Sequence, residues 1–141
     1  LVQAIMTAID EAGAMVEIIA PKIGGATLSD GNLLPAGQKI DGGPSVLYDA
    51  VAIVASEEGG MLLSLDATAK DFLTDAFAHC KFIGMGPGVE ALVARSGLAD
   101  DLDEGCLALA EPGDVDAFVA ALAPLRFWAR EPAVDLDALP A

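Results

Sequence analysis

Reactive side chains are scarce in these 141 residues, which hold one histidine (His79), one tyrosine (Tyr48), one tryptophan (Trp128) and two cysteines (Cys80, Cys106). Each scarcity excludes something. A single histidine and no C-x-x-C pair leave nothing from which to build a zinc cluster. Two cysteines, both in apolar strand-like runs of a chain with no secretory n-region, predict reduced and buried thiols rather than a disulfide. No uncharged apolar run approaches the roughly 18 residues of a membrane span, so no membrane partner is expected. Basic residues are also few, 7 against 22 acids for a net charge of −15. So acidic a chain cannot neutralise phosphates, which sets nucleic acid aside as a partner. We expect a water-soluble, cytoplasmic protein, or part of one.

What is abundant is apolar surface, 54% of the residues, enough for one packed domain at this length. Leu1, Ile5 and Ile9 recur at helical spacing and Gly13 closes the pattern. No capping residue stands ahead of Leu1, which leads us to expect that the segment belongs to a longer chain. MVEIIA, residues 15–20, reads as a buried strand. Residues 22–41 are glycine-rich, with Asp30-Gly31 between TLS and NLL as in a hairpin. DAVAIVA, residues 49–55, reads as a strand covered on both faces, and SEEGG as a loop at its carboxyl end. DATAKDFLTDAFAH predicts a helix with Ala69, Phe72, Leu73 and Phe77 on one face. Lys81 to Gly84 reads as a strand, Pro87 to Ser96 as a helix with proline in its first turn, and CLALA as a fourth strand. Asp114 is expected to cap a last helix, broken at Pro124, before an irregular acidic tail. Strands alternating with helices predict a doubly wound, mainly parallel α/β sheet.

The glycine turn KFIGMGPGVEAL invites three chemistries. A dinucleotide fingerprint needs its third glycine three residues after the second, and here it comes two after, with Val89 in the required place. A hydrolase elbow needs a nucleophile where Gly86 stands. Cys80 lies about 13 Å short of the turn at strand rise, and its neighbour His79 would point to the opposite face of a strand. It reads as a buried cysteine beside a helix-terminal histidine, and Cys106, with no basic residue nearby in sequence, as core. Glu57 and Glu58 at a strand end could hold a cation but read more simply as a solvated loop. Arg126, Trp128 and Arg130 read as a docking surface, and Tyr48 as packing.

FIGMGPGVEAL resembles the cysteine elbow of the DJ-1/PfpI superfamily, the class I glutamine amidotransferase-like fold. Gly86 and Pro87 match its Cys-x-Gly-Pro pattern, and Gly84 occupies the cysteine's place. Ala55, Ser56 and Glu57 stand where that superfamily carries Pro-Gly-Gly. A disarmed elbow of this kind is similar to that in the C-terminal domain of large-subunit catalases. AGAMVEIIAPKIG, SDGNLLPA, GGPSVLYDAVAIV, DFLTDAFAHCKFIG and the ending Arg126, Phe127, Trp128, Ala129, Arg130, Glu131, Pro132 carry that resemblance. It implies a flavodoxin-like three-layer fold whose first, central strand precedes Leu1. It further implies a non-catalytic domain of a haem catalase that disproportionates hydrogen peroxide. Such a domain would support a homotetramer, or shape the peroxide route, by docking on the catalase core and neighbouring subunits. No catalytic, cofactor-binding or metal residue is expected here, the haem lying in the rest of the chain. The alternatives from the same residues are a stand-alone thiol enzyme or chaperone of the DJ-1/PfpI kind, or a flavin or nucleotide binder.

Overall fold

The computed structural model describes residues 1–22 and 24–134. Its elements alternate as the apolar pattern requires. Helix α1 (Val2–Glu11) buries Ile5 and Ile9, and Gly13 ends it with φ +78, a conformation open to glycine at no steric cost. Strands β1 (Ile19–Ala20) and β4 (Gln38–Lys39) pair in parallel, while β2 (Ala26–Thr27) and β3 (Leu33–Leu34) form the antiparallel hairpin. Its turn closes through Gly31 at φ +85. Strands β5 (Val51–Ile53), β6 (Ile83–Met85) and β7 (Cys106–Ala108) form a three-stranded parallel sheet in that order. The connections carry α2 (Glu57–Ser64), α3 (Ala67–Ala78) and α4 (Glu90–Arg95), and α5 (Pro112–Ala121) and α6 (Glu131–Val134) follow.

The β5–β6–β7 sheet has a core on each face. One is built from Val51, Ile53, Ile83, Leu73, Phe77, Leu92 and their neighbours under α3 and α4. The other joins Ile5 and Ile9 of α1 to Phe82, Leu109, Val115 and Phe118 around α5. Burying a Leu or Ile side chain stabilises the fold by about 2 kcal/mol, so these two layers hold the sheet between helices. The architecture is the doubly wound α/β sandwich that the alternation predicts.

Several local readings need correction. Only Ile19 and Ala20 of the expected strand at 15–20 are paired, and Met15 is 97% exposed. Before Ile19 the pairing reaches only the Ile18 carbonyl, which accepts from the Gly37 and Gln38 amides, and residues 15–17 are exposed. SEEGG is no loop. Ser56 accepts from the Gly59 amide at 3.0 Å and Glu57 and Glu58 occupy the first turn of α2, where acids favour the helix dipole. The glycines that argued for a loop serve packing instead. Helix α4 begins at Glu90, so Pro87 lies in the turn before it. Helix α5 ends at Ala121 ahead of Pro124, with Leu125 at φ +68, and the expected break is there. The Asp114 carboxylate caps it from inside the first turn, accepting from the amides of Ala110 and Glu111. Residues 131–134 are a helical turn. The remainder of the acidic tail lies outside the described residues.

Candidate functional site

The elbow is the place to look for chemistry. Gly84 is the central residue of β6, paired with Ala52 on one side and Leu107 on the other. A Cβ at Gly84 would meet Leu109 Cδ1 at 2.7 Å, Phe118 Cζ at 3.3 Å and Ala52 Cβ at 3.4 Å. The space that a nucleophile would occupy is therefore filled by the core beneath α5. The two glycines after it are held by close approach rather than by an unusual backbone. The Gly86 amide donates to the Ile53 carbonyl at 2.9 Å. A Cβ on Gly88 would fall 2.2 Å from the Ala55 carbonyl oxygen, and one on Gly60 only 1.7 Å from that of Gly88. Turn and α2 are pressed together backbone to backbone, which excludes any side chain at either position. The turn is thus a packing joint.

Among the described residues no other reactive group converges on it. Ser56 is occupied as the α2 cap, and Glu57 and Glu58 are exposed. Cys80 is buried in a left-handed turn, φ +60, just after the α3 terminus, so it does not begin a strand. His79 closes α3 with Nδ1 at 2.7 Å from the Asp75 carbonyl and points to solvent. Burial pushes the Cys80 thiol up, and the nearby Arg130 charge offsets this only in part. Cys106 on β7 has a basic neighbour that its sequence context hid, for Arg130 Nη2 lies 3.6 Å from its sulfur. Burial nonetheless raises its pKa, with backbone and Arg130 effects opposing. Neither thiol is activated for attack.

The densest polar cluster is structural. The Arg126, Trp128, Arg130 alternation divides: Trp128 is exposed, whereas Arg130 is 2% exposed and belongs to the core. Its Nε and Nη2 donate to the two oxygens of Asp103 at 2.6 and 2.9 Å. Nη1 donates to the Phe77 and Lys81 carbonyls, and the guanidinium lies 4.2 Å over the Phe77 ring. A cation there suits the carboxyl end of α3. A Cβ at Gly105 would come within 2.7 Å of Nη2, so that glycine makes room for the arginine. The Phe127 amide also donates to Cys80 O. Together these bonds fasten the 126–130 segment over the α3–β6 corner. Arg126 reaches the carbonyl of Asp49 at 3.0 Å and its carboxylate at 3.5 Å.

Lys81 stands in the expected strand at 81–84, and no local pattern marks its side chain as buried. It is 1% exposed and donates through Nζ to the Ser45 carbonyl. That contact anchors the 3₁₀ turn Ser45–Leu47. Asp103 likewise had no sequence signal. Tyr48 does more than pack, since its hydroxyl donates to Glu17 Oε2 at 2.6 Å. Burial and that carboxylate push its pKa up to about 12.

A haem would need an axial donor facing an apolar cavity. Tyr48 is engaged by Glu17, His79 faces solvent, and neither thiol lines either of two surface cavities. These measure about 370 Å³ between α1 and α5 and about 560 Å³ between α2 and α4. These residues do not fit a haem. Among the described residues no group of three or more His, Cys, Asp or Glu is placed to hold a metal ion.

The fold class is that of the DJ-1 superfamily. A DJ-1 superfamily protein of Salmonella typhimurium superposes with a TM-score of 0.71 at 15% identity, covering 94% of this chain and 90% of that one. A two-domain protein of Anabaena variabilis containing DJ-1/ThiJ/PfpI-like and ferritin-like domains gives 0.68 at 15% identity, over 98% of this chain and 45% of that one.

Within that class the chain belongs to the family described as the C-terminal domain found in long catalases, whose model matches residues 1–132. It is 47% identical over 136 residues to Catalase C of Rhizobium meliloti, and 33% identical over 148 residues to Catalase HPII of Mycobacterium avium. These alignments cover 96% and 94% of this chain but only 19% and 20% of the relatives. The chain thus spans about a fifth of their length.

Proposed function

We propose that this chain is a non-catalytic domain appended to a cytoplasmic haem catalase, whose core disproportionates hydrogen peroxide to water and oxygen. The domain supports a homotetramer by packing on that core and on neighbouring subunits. The observation that carries this reading is the elbow itself. Its nucleophile position is Gly84, closed by Leu109 and Phe118, in a chain that matches the long-catalase family along nearly its whole length. Trp128, 60% exposed on the fastened 126–130 segment, is the apolar group offered to the core.

A strand supplied by the preceding chain completes the sheet between β1 and β5 in this reading. In support, β5 is paired only with β6, and β1 only with β4, among the described residues. Two parallel pieces left apart in this way would expose unpaired backbone groups.

The test is made on the intact polypeptide and on a deletion of residues 1–141. The intact protein should show a Soret band, release oxygen from peroxide and sediment as a tetramer. The deletion should keep turnover per haem while losing tetramer on heating or dilution. An intact protein without haem, or a deletion that abolishes turnover while remaining tetrameric, would overturn the proposal.

A further inference from the structure

Two strand edges are joined at their amino ends by a single side-chain contact. The Ile18 and Ala20 carbonyls accept from the Gln38 and Ile40 amides, so the amide and carbonyl of Ile19 face the other edge of β1. The Val51 amide donates to Phe82, and the Ile53 carbonyl accepts from Gly86. The amide and carbonyl of Ala52 therefore face away from β6, and Ala52 is exposed between buried Val51 and Ile53. Tyr48, three residues before β5, donates its hydroxyl to Glu17 Oε2 at 2.6 Å, and Glu17 stands two residues before β1. A Cβ at Gly37 would fall 3.1 Å from Glu17 Cγ and Oε1, so the glutamate is seated against the start of β4. Because both residues precede their strands, the contact sets β1 and β5 parallel with their amino ends together.

Width and tether select what lies between these edges. Neighbouring strands are about 4.8 Å apart, so strands flanking one insert stand about 9.6 Å apart. A tyrosine and a glutamate meeting tip to tip bridge one such insert and not two. The Leu1 side chain lies 3.4 Å from where a Gly86 Cβ would be, at the carboxyl end of β6. A segment that reaches Leu1 from the Tyr48 end runs parallel to β5 over roughly five residues at about 3.3 Å each. Joined to α1 at Leu1, it meets both edges at an effective concentration that no separate chain matches. The relatives are about five times as long as this chain and the family is a C-terminal domain, so their remaining length leads into that point. We propose that Tyr48 and Glu17 form a clasp across the amino-terminal mouth of this slot and hold the segment preceding Leu1 between β1 and β5. The inference rests on the completing strand of the proposed function and adds the device that keeps it seated.

Residue-resolved hydrogen exchange on the full-length polypeptide tests the clasp. The Ile19 and Ala52 amides should be protected, and the protection should survive dilution to separated subunits, because the occupant is tethered. Tyr48→Phe should speed exchange at both about tenfold, the loss of one hydrogen bond to a charged acceptor, and leave Ile83 on β6 unchanged. Glu17→Gln keeps an acceptor and should stay closer to the parent. Should Tyr48→Phe unfold, the double variant E17C/Y48C reports the same geometry. A bismaleimide of about 10 Å reach, two strand spacings, should link the two cysteines. Mild oxidation should not, because a disulfide needs Cα atoms within about 7 Å. Free exchange at Ala52, protection lost on dilution, or parental exchange in Tyr48→Phe would each overturn the proposal. So would a ready E17C–Y48C disulfide, or a pair that neither reagent links. None of these readouts depends on haem. A catalase tetramer that fails them loses the clasp and keeps the functional reading, and a haem-free polypeptide that passes them does the reverse.

Discussion

Asp103 grips the buried guanidinium of Arg130 with both carboxylate oxygens, at 2.6 and 2.9 Å, across 27 residues of sequence. The arginine's remaining bonds go to the Phe77 and Lys81 carbonyls, so one side chain ties the segment after α5 to the α3–β6 corner. Removing one member of such a pair leaves the other buried and unmatched, at a cost of about 3–5 kcal/mol. Asp103→Asn and Arg130→Met should each destabilise by that order, which is much of a domain's whole stability. Urea unfolding of the two single variants and the double variant checks this. The double variant should be less impaired than the sum of the singles, and strict additivity would show the pair to be uncoupled.

The same pair gives the domain an acid limit. Burial alone would raise the Asp103 pKa, but hydrogen bonds and charge from Arg130, with the Gly105 amide and the Cys106 thiol, hold it below its usual 3.8. A carboxyl lowered on folding adds stability that is present above the unfolded value and is lost as pH falls through the folded one. The parent should therefore lose stability below about pH 4 more steeply than Asp103→Asn. Parallel acid-unfolding curves for the two proteins would show the idea to be wrong.

Lys81 has the opposite sign. Burial lowers its pKa, the Arg126 charge lowers it further, and Asp49 opposes both. The cost of a buried ammonium is in full force below the folded pKa. It is relieved as pH rises from there towards the unfolded value of about 10.4. Lys81→Met removes that cost along with the bond to Ser45, and should be near neutral at pH 7, within about 1 kcal/mol. Relative to this variant, the parent should gain stability on going from pH 7 to 10. A parent that instead loses ground would mean that its lysine is stabilised as a cation.

The two-faced sheet was legible because its signals are local. Leu73 and Phe77 share a helical face, Asp30-Gly31 marks a hairpin, and alternating strands and helices leave few topologies. Asp103, Lys81 and the burial of Arg130 were not legible, because each depends on partners 27 to 53 residues away that no local pattern announces. Helix α2 was hidden for a related reason. Gly59 and Gly60 look like loop residues, yet Gly60 is there because the Gly88 carbonyl comes too near for a Cβ. Ser56 followed by two acids was the capping signal that could have outweighed them. The disarmed state of the elbow could be read from Gly84 alone. That Leu109 and Phe118 fill the space could be learned only from the fold.

That filling makes the elbow testable from the other direction. If the turn were an active site lacking only its nucleophile, Gly84→Cys would rebuild a reactive thiol. The core argues against it. The new Cβ must displace Leu109 Cδ1 from 2.7 Å while Phe118 and Ala52 already press at 3.3 and 3.4 Å. Overpacking of this kind costs about 1–3 kcal/mol, and the thiol would point into apolar surroundings that raise its pKa. Gly84→Cys should lower the melting temperature and react no faster with a thiol reagent than the parent does through Cys80 and Cys106. Gly84→Ala should be destabilised comparably, since the obstruction is the Cβ and not the sulfur. A stable Gly84→Cys protein with a fast, low-pKa thiol would show that the elbow keeps a catalytic geometry. The expected outcome is a joint in which the packed Leu109 and Phe118 side chains oppose even a methyl group.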